Sequence, residues 1–331
     1  SYGMLIQEFY DLYWGRIEKK WLSVLNEEKA HPSVSEIVLY HLKNPGKRLR
    51  PYLSVGLSLC LNPLISDSGL DFAASVELLH NASLVHDDLE DQDFYRRGVL
   101  NVWKKYSPVQ AINMGDLLFT KSLELLLIAP GIPADIKIQL IRKTISAINE
   151  LIYGQMLEIS FSNTVNMTWN DWEEIAAQKT GALIRLIFEG VLMLAGIDTC
   201  KYSGVLNSIG RLIGIIYQMR DDIMDATGLK EGRQQGSDIL EGKMTCLSIK
   251  AMETGGGRSG IIGEILLNPG QKDDQSRIKT LLSFYEDLGI TSRLKSQYAL
   301  LLGQCRNHPV TESFPRIKPA LDNFLDMLVI D

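Results

Sequence analysis

Asp87, Asp88 and Asp91 fall at i, i+1 and i+4 within HNASLVHDDLEDQDFYRRG, residues 80–98. On a helix of about 3.6 residues per turn, Asp87 and Asp91 project from one face, a turn apart. Two carboxylates stacked in this way repel unless something positive lies between them. Oxygen ligands suit a hard cation such as Mg²⁺, whose shell substrate phosphates usually complete. Arg96 and Arg97 follow closely, and their guanidinium forks match phosphate oxygens. Acid for metal beside base for phosphate points to a diphosphate site. A charge run at a helix end is ordinarily solvated surface, and DDLED alone would be read so. A second copy weighs against that: Asp221, Asp222 and Asp225, in YQMRDDIMDATG, repeat the spacing at the end of another apolar run.

The elements that must position these residues read as helices, and no alternating strand stands out. Apolar side chains recur at helical spacing from about residue 5 to 25. The loop KAHPSVS follows, with Ser33 or Ser35 placed to cap the next helix. Pro45-Gly46 marks a turn, and Pro51 fits the first turn of a following helix. Lys47, Arg48 and Arg50 therefore gather at a helix N-terminus, whose partial positive charge adds to theirs. The helix bearing the first cluster starts near Ser68. Its upper part is apolar or small on most sides, through Ala73, Ala74, Val76, Leu79, Ala82, Leu84 and Val85, which implies burial. On general grounds His80 and His86 within it are hydrogen-bonded core residues.

Beyond Gly98 a helix spans about 108–128, and a longer one runs to about 160. Gly154 inside the latter signals close packing or ligand approach, and Gln155 and Glu158 share a face. The next helix is interrupted near Thr180-Gly181, which places Lys179 and Thr180 at irregular backbone. The run from 204 to 226 ends in the second cluster, and GLKEGRQQGSD leads on to EGKMTCLSIKAM. Gly255, Gly256 and Gly257 lack the GK[ST] ending and preceding strand of a phosphate loop, and read as a linker. The tail from about 273 reads as two or three amphipathic helices. The expectation is an all-α chain, a single large helical bundle forming one domain over 1–331, its cavity lined from facing helices.

Composition narrows the function. A net charge of -6 argues against general nucleic-acid binding. Cys60, Cys200, Cys246 and Cys305 are scattered, fit neither a disulfide framework nor a zinc site, and imply a reducing compartment. No apolar run has the length of a membrane span; the best, LIRLIFEGVLMLAG, is broken by Arg185 and Glu189. The N-terminal stretch lacks the basic-then-apolar pattern of a secretory leader. A soluble, cytoplasmic protein is expected.

With GKRLRP (46–51), HNASLVHDDLED (80–91), RRG (96–98), GQMLE (154–158), KTG (179–181), YQMRDDIMD (217–225) and GSDILEGKMT (236–245) in this order, the chain resembles the trans-isoprenyl diphosphate synthases, the all-trans polyprenyl synthase family. The resemblance implies an isoprenoid synthase-like helical fold and a homodimer. It implies that Lys47, Arg50, His80 and Arg97 hold isopentenyl diphosphate, which reverses the general reading of His80. It implies that Asp87 and Asp91, with Asp221 across from them, ligate several Mg²⁺ ions, and that Asp88, Asp222 and Asp225 complete the two catalytic clusters. Arg96, Lys179, Thr180, Gln218 and Lys243 match contacts to the allylic diphosphate. Arg233 stands where a lysine is usual and would pair with phosphate.

The chemistry agrees with this on its own terms. An allylic substrate must lose diphosphate to become a carbocation, and metal ions and cationic side chains stabilise the charge developing on the leaving group. Isopentenyl diphosphate then attacks, and proton loss leaves a product five carbons longer. The chain departs from the family at VLNVW after RRG, with Trp103 near a usual histidine, at Glu158 for aspartate, and at Tyr217 for phenylalanine. These bear on partner-substrate preference. Ala82 lies five residues before Asp87, about 7.5 Å deeper along the helix, with Ser83 beside it and Leu79 beyond. In the family a bulky residue here stops chain growth, so a product of geranylgeranyl length or longer is expected. Two other classes use similar parts: a class I terpene cyclase, which has no need of a second diphosphate site, and a non-catalytic subunit of a heteromeric synthase.

Overall fold

A computed structural model describes residues 3–25, 30–44, 46–267 and 274–330. Pro45 of the expected turn and Asp273 at the start of the tail lie outside the described residues. The chain opens with the helix expected over about 5–25, made of α1 (Ile6–Phe9), a π-helical turn (Tyr10–Trp14) and α2 (Gly15–Leu25). α3 (Pro32–Leu42) is capped by His31 rather than by Ser33 or Ser35: the imidazole Nδ1 accepts from the Ser33 amide at 3.3 Å. Pro32 takes the first helical position, where a missing N–H does no harm. α4 (Leu49–Leu61) carries Pro51 in its first turn, and α5 (Asp67–Glu90) carries the first acidic cluster at its end.

A two-stranded antiparallel hairpin follows, β1 (Tyr95–Arg96) and β2 (Val99–Leu100), paired Tyr95 to Leu100 and Arg96 to Val99. This corrects the strand-free expectation. Strands of two residues are too short to show alternation. The signal was in the turn, where Arg97 (φ 52°) and Gly98 (φ 81°) both take the left-handed conformation, the combination that matches the twist of a tight hairpin.

The remaining elements are helices: α6 (Val102–Lys105), α7 (Pro108–Ile128), α8 (Ala134–Ser160), α9 (Trp169–Ala176), α10 (Ala182–Leu194), α11 (Ser203–Thr227), α12 (Ser237–Leu240) and α13 (Cys246–Thr254). After them come α14 (Ser259–Leu267), α15 (Asp274–Asp287), α16 (Ile290–Arg306), α17 (Val310–Ser313) and α18 (Lys318–Asp326). The all-α expectation holds. The irregularity foreseen near Thr180-Gly181 is a second π-helical turn, Ala177–Gly181, joining α9 to α10. The helix widens there without breaking, a local distortion that frees backbone groups and is frequent at functional sites. Among the described residues no helix is long and apolar enough to cross a membrane.

The described chain divides into two compact units. The first comprises 1–149, 183–209 and 308–327; the second comprises 150–182, 210–307 and 328–331. In the first, α5 packs against α2, α4 and α7. Every residue from 68 to 79 is buried, as the apolar run requires. Two of its polar members are tied to neighbouring helices: Asp71 meets Lys20 at 2.8 Å, and the Ser75 hydroxyl donates to the Ser122 carbonyl at 2.7 Å. In the second unit, α11 presses backbone to backbone on the second π-helical turn: a Cβ at Gly214 would lie 2.7 Å from the Gly181 nitrogen. Gly154 is a close-packing residue, since a Cβ there would lie 2.8 Å from Gln178 and 2.9 Å from the Lys179 nitrogen.

Candidate active site

The Asp91 amide donates to the Asp87 carbonyl at 2.8 Å, so the two residues stand one helical turn apart at the end of α5. A helix C-terminus carries partial negative charge, and acids there destabilise it. Placing carboxylates at that end is a local rule broken, as happens at functional sites. Asp87 is half-buried and Asp91 exposed. Asp88, between them, is buried and accepts two bonds from Arg96, 2.9 Å from Nε and 2.6 Å from Nη2. Burial works against the Arg96 charge, but Asp88, with Asp87 behind it, holds the guanidinium more firmly protonated than usual.

Because the hairpin turn is left-handed at both central residues, Arg97 leaves it toward the segment before α4. Its Nη1 donates to the Asn44 carbonyl at 2.6 Å. A Cβ at position 46 would run into Arg97 Nη2, so glycine there is what lets the guanidinium lie against the segment that leads into α4. Lys47 is exposed, and Arg50 Nη1 lies 3.2 Å from His80 Nε2. Burial first, then Arg50, pushes the His80 pKa well down, so the ring is neutral and its Nε2 accepts. Burial and Arg96 lower Arg97 to about 10, which leaves it charged at neutral pH. Beneath these cations lies a polar layer that sequence reasoning missed. Asn81 donates to the Glu77 carbonyl at 2.8 Å, and its Oδ1 lies 2.8 Å from His41 Nε2. Burial raises Glu77 to about 7 against Arg50 and Arg97, and lowers His41 to about 4. On the same helix Leu79 and Ala82 are buried, and the half-buried Ser83 donates its hydroxyl to the His80 carbonyl at 2.7 Å. The VLNVW segment braces the hairpin: Trp103 Nε1 donates to the Asp93 carbonyl at 2.6 Å, as does the Asn101 side-chain amide.

The second cluster sits near the end of α11. Asp222 is buried and accepts from the Trp172 indole at 3.0 Å, the Cys246 amide at 2.9 Å and the Gln218 side chain at 2.8 Å. Asp225 is also buried; it accepts from the Ser237 hydroxyl at 2.5 Å and the Asp238 amide at 3.1 Å. Burial raises both carboxyls. Asp221 differs. Its side chain is 42% exposed and pairs with Lys230 at 2.9 Å. Burial opposes its charge, yet Lys230 and Lys243 hold it below the usual carboxylate range. Lys243 is held well above its ordinary value, against burial, by Glu158, Asp238, Asp222 and Asp221. On the π-helical turn, Lys179 Nζ lies 3.3 Å from Glu158, and Thr180 is half-buried next to it. Arg233 pairs with Glu241. Lys230, Trp172 and Asp238 were not foreseen; each reaches the cluster from a loop or a distant helix, at no fixed spacing from it.

The structure thus sorts the predicted residues by unit. The first gathers Lys47, Arg50, Leu79, His80, Ala82, Ser83, Asp87, Asp88, Asp91, Arg96 and Arg97. The second gathers Lys179, Thr180, Gln218, Asp221, Asp222, Asp225, Arg233 and Lys243. Among the described residues no three histidine, cysteine or acidic side chains form a ready cage for a metal. Mg²⁺ does not need one, because it is usually held by one or two carboxylates with water and substrate phosphates. The all-oxygen donors Asp87 with Asp91, and Asp221, fit that description.

The profile of the family described as Polyprenyl synthetase matches residues 31–284. A farnesyl diphosphate synthase of Micrococcus luteus is 33% identical over 284 residues, covering 82% of this chain and 94% of that protein. A geranylgeranyl pyrophosphate synthase of Geoglobus acetivorans is 35% identical over 234 residues, covering 70% of this chain and 72% of that protein. The crystal structure of a geranylgeranyl pyrophosphate synthase superposes with a TM-score of 0.87 at 23% identity, covering 98% of each chain, a likeness of fold.

Proposed function

This chain belongs to the polyprenyl synthetase family and is a transferase of prenyl groups, and from that premise we propose the reaction in full: Mg²⁺-dependent, head-to-tail condensation of isopentenyl diphosphate with dimethylallyl, geranyl or farnesyl diphosphate. The product is an all-trans prenyl diphosphate. One observation carries the reading. In each acidic cluster the second aspartate is tied into the fold, Asp88 by Arg96 and Asp222 by Trp172 and Cys246, while the first, Asp87 or Asp221, stays partly exposed.

Asp87, Asp91 and Asp221 are the residues that would hold the metal, and bound Mg²⁺ would supply positive charge to the departing diphosphate. Lys179, Thr180, Gln218, Lys243 and Arg233 bind that allylic diphosphate. Arg96 joins them, since a guanidinium has five donors and Asp88 engages only part of the fork. Lys47, Arg50, Arg97 and neutral His80 hold the diphosphate of the second substrate. The allylic C–O bond breaks and its electron pair leaves with diphosphate. The isopentenyl double bond attacks the cation, and the released diphosphate takes the proton that restores an alkene. No side chain is required as general base.

The test is to incubate the purified chain with farnesyl diphosphate and Mg²⁺, then add isopentenyl diphosphate. Product should form only after the addition, and chelation should abolish it. Hydrocarbon or alcohol from the allylic substrate alone would mean a cyclase; no turnover by this chain alone would mean a non-catalytic subunit. The small, buried Ala82 beneath Asp87 supports a product of geranylgeranyl length or longer. Ala82→Tyr should then shorten it, read by chromatography; an unchanged length distribution would move the floor to Leu79, Val76 or Met114. A homodimer is proposed with it. Ile138, Ile145, Ile152 and Ile159 are all exposed on α8 at seven-residue spacing, a stripe suited to a helix of a second copy. A cytoplasmic setting accords with four free cysteines.

A further inference from the structure

The basic run at 47–50 is not one cluster in the folded chain. Lys47 is exposed and Arg50 meets His80, while the Arg48 side chain lies against Tyr10 and Trp14. Its backbone is left-handed (φ 58°, ψ 38°), an uncommon and strained conformation for a residue with a side chain. In that conformation it is the N-cap residue of α4, and its carbonyl accepts from the Tyr52 amide at 3.0 Å. Its guanidinium carbon lies 4.3 Å from the centre of the Trp14 ring and 5.4 Å from that of Tyr10. Its Nε is buried without a hydrogen bond, and the two aromatic faces receive this cation at close range, with Glu18 and Glu77 acting on it from further off. Tyr10 makes a second contact: its hydroxyl donates to the Lys47 carbonyl at 2.7 Å. Tyr10 and Trp14 are the first and last residues of the N-terminal π-helical turn. Trp14 in turn stacks edge-on against Trp21 at 5.1 Å, and the Trp21 indole donates to the Ala74 carbonyl of α5 at 2.9 Å.

We propose that Tyr10 and Trp14 form a clamp that holds Arg48 left-handed and so sets Lys47 and Arg50 for the diphosphate of the second, non-allylic substrate. Arg48, Tyr10 and Trp14 are positioning residues that do not touch the substrate. Strain at one residue persists only where its surroundings over-determine it, and here the hydroxyl and the two rings do so from one short helical turn. The sequence shows three cations within four residues; the fold uses one of them to orient the others. This rests on the proposed assignment of Lys47 and Arg50 to isopentenyl diphosphate.

The experiment compares Arg48→Gly with Arg48→Ala. Glycine takes the left-handed conformation without strain, and alanine does not. With the clamp, Arg48→Gly keeps the KM for isopentenyl diphosphate within about threefold of the parent, while Arg48→Ala raises it about tenfold. The KM for the allylic substrate and kcat hold in both. Tyr10→Phe, which keeps the ring, raises the same KM alone by a few fold. Trp14→Leu does so more strongly where it folds, and adding Arg48→Gly to it restores affinity. Equal KM values for the glycine and alanine variants overturn the clamp, as does a loss shared by both substrates. Lys47→Ala and Arg50→Ala are run alongside: if neither moves the KM for isopentenyl diphosphate, the underlying assignment has failed, whatever the clamp does.

Discussion

The ends of α5 and α11 carry the same acidic spacing, yet the fold uses them differently. At the first position Asp87 and Asp221 are alike, both partly exposed. At the second, Asp88 and Asp222 are alike, both buried in hydrogen bonds. The fifth position separates them: Asp91 is exposed at the helix end, whereas Asp225 is buried and anchors the loop at Ser237 and Asp238. The cations differ too. The first end is served by a hairpin and a turn rich in arginine, the second by Lys230, Lys243 and Arg233. A repeated motif therefore does not bring a repeated environment. What each aspartate does depends on which donors the rest of the chain brings to it.

The comparison breaks most visibly at the first position. Asp87→Ala and Asp221→Ala should each lower kcat by about 10²–10³-fold; Asp87→Ala should keep the thermal unfolding midpoint, since it removes an acid from the negative end of a helix, while Asp221→Ala should lower it slightly, because Lys230 loses its partner. A variant that lost stability in step with activity would contradict the shared role. At the second position the readout inverts. Asp88→Ala strands Arg96, and Asp222→Ala strands the Trp172 and Cys246 donors, so calorimetry or denaturant titration should show a loss of about 3 kcal/mol in each. The fifth position should split the pair: Asp91→Ala lowers activity about tenfold at unchanged stability, while Asp225→Ala costs about 1–2 kcal/mol of stability. Matching behaviour of the two would erase the distinction drawn here.

The smallest effect concerns what lies beneath the first end. Glu77 is raised to about 7 by burial, from an ordinary value of about 4.3. For a carboxyl raised in the folded state, its contribution to stability is complete below the ordinary value and drains away as pH rises through the folded one. Glu77→Gln, neutral throughout, should therefore gain on the parent between about pH 5 and about pH 8. Unfolding midpoints measured across that range should diverge in favour of the variant. Parallel curves would place the pH sensitivity elsewhere.

Much of the fold was legible because burial and helical periodicity are local signals. The limits of α7, the extent of α5 and the close packing at Gly154 could be read from runs of side chains. The hairpin was not, because its identity lies in two backbone angles at Arg97 and Gly98 and not in any alternation of strands. The cap at His31 was missed because an imidazole can serve as acceptor where a serine was expected. The irregularity at 177–181 was visible, but its form was not: a break and a π-helical turn leave the same trace in sequence.

The candidate site divides in the same way. Residue type and helical spacing were enough to put Asp87 and Asp91 on one face and to mark the second cluster at Asp221, Asp222 and Asp225, because charge and helical geometry are properties of the chain itself; the choice of Asp221 within that cluster came from the family resemblance. Only the tertiary structure could show that Asp88 and Asp222 are committed to the fold, that Lys230 reaches Asp221, and that the Arg48 guanidinium lies over two aromatic rings. Each of those outcomes depends on a partner remote in sequence and on burial, and neither the identity of such a partner nor the loss of water around a charge is encoded in the spacing of the residues that meet it.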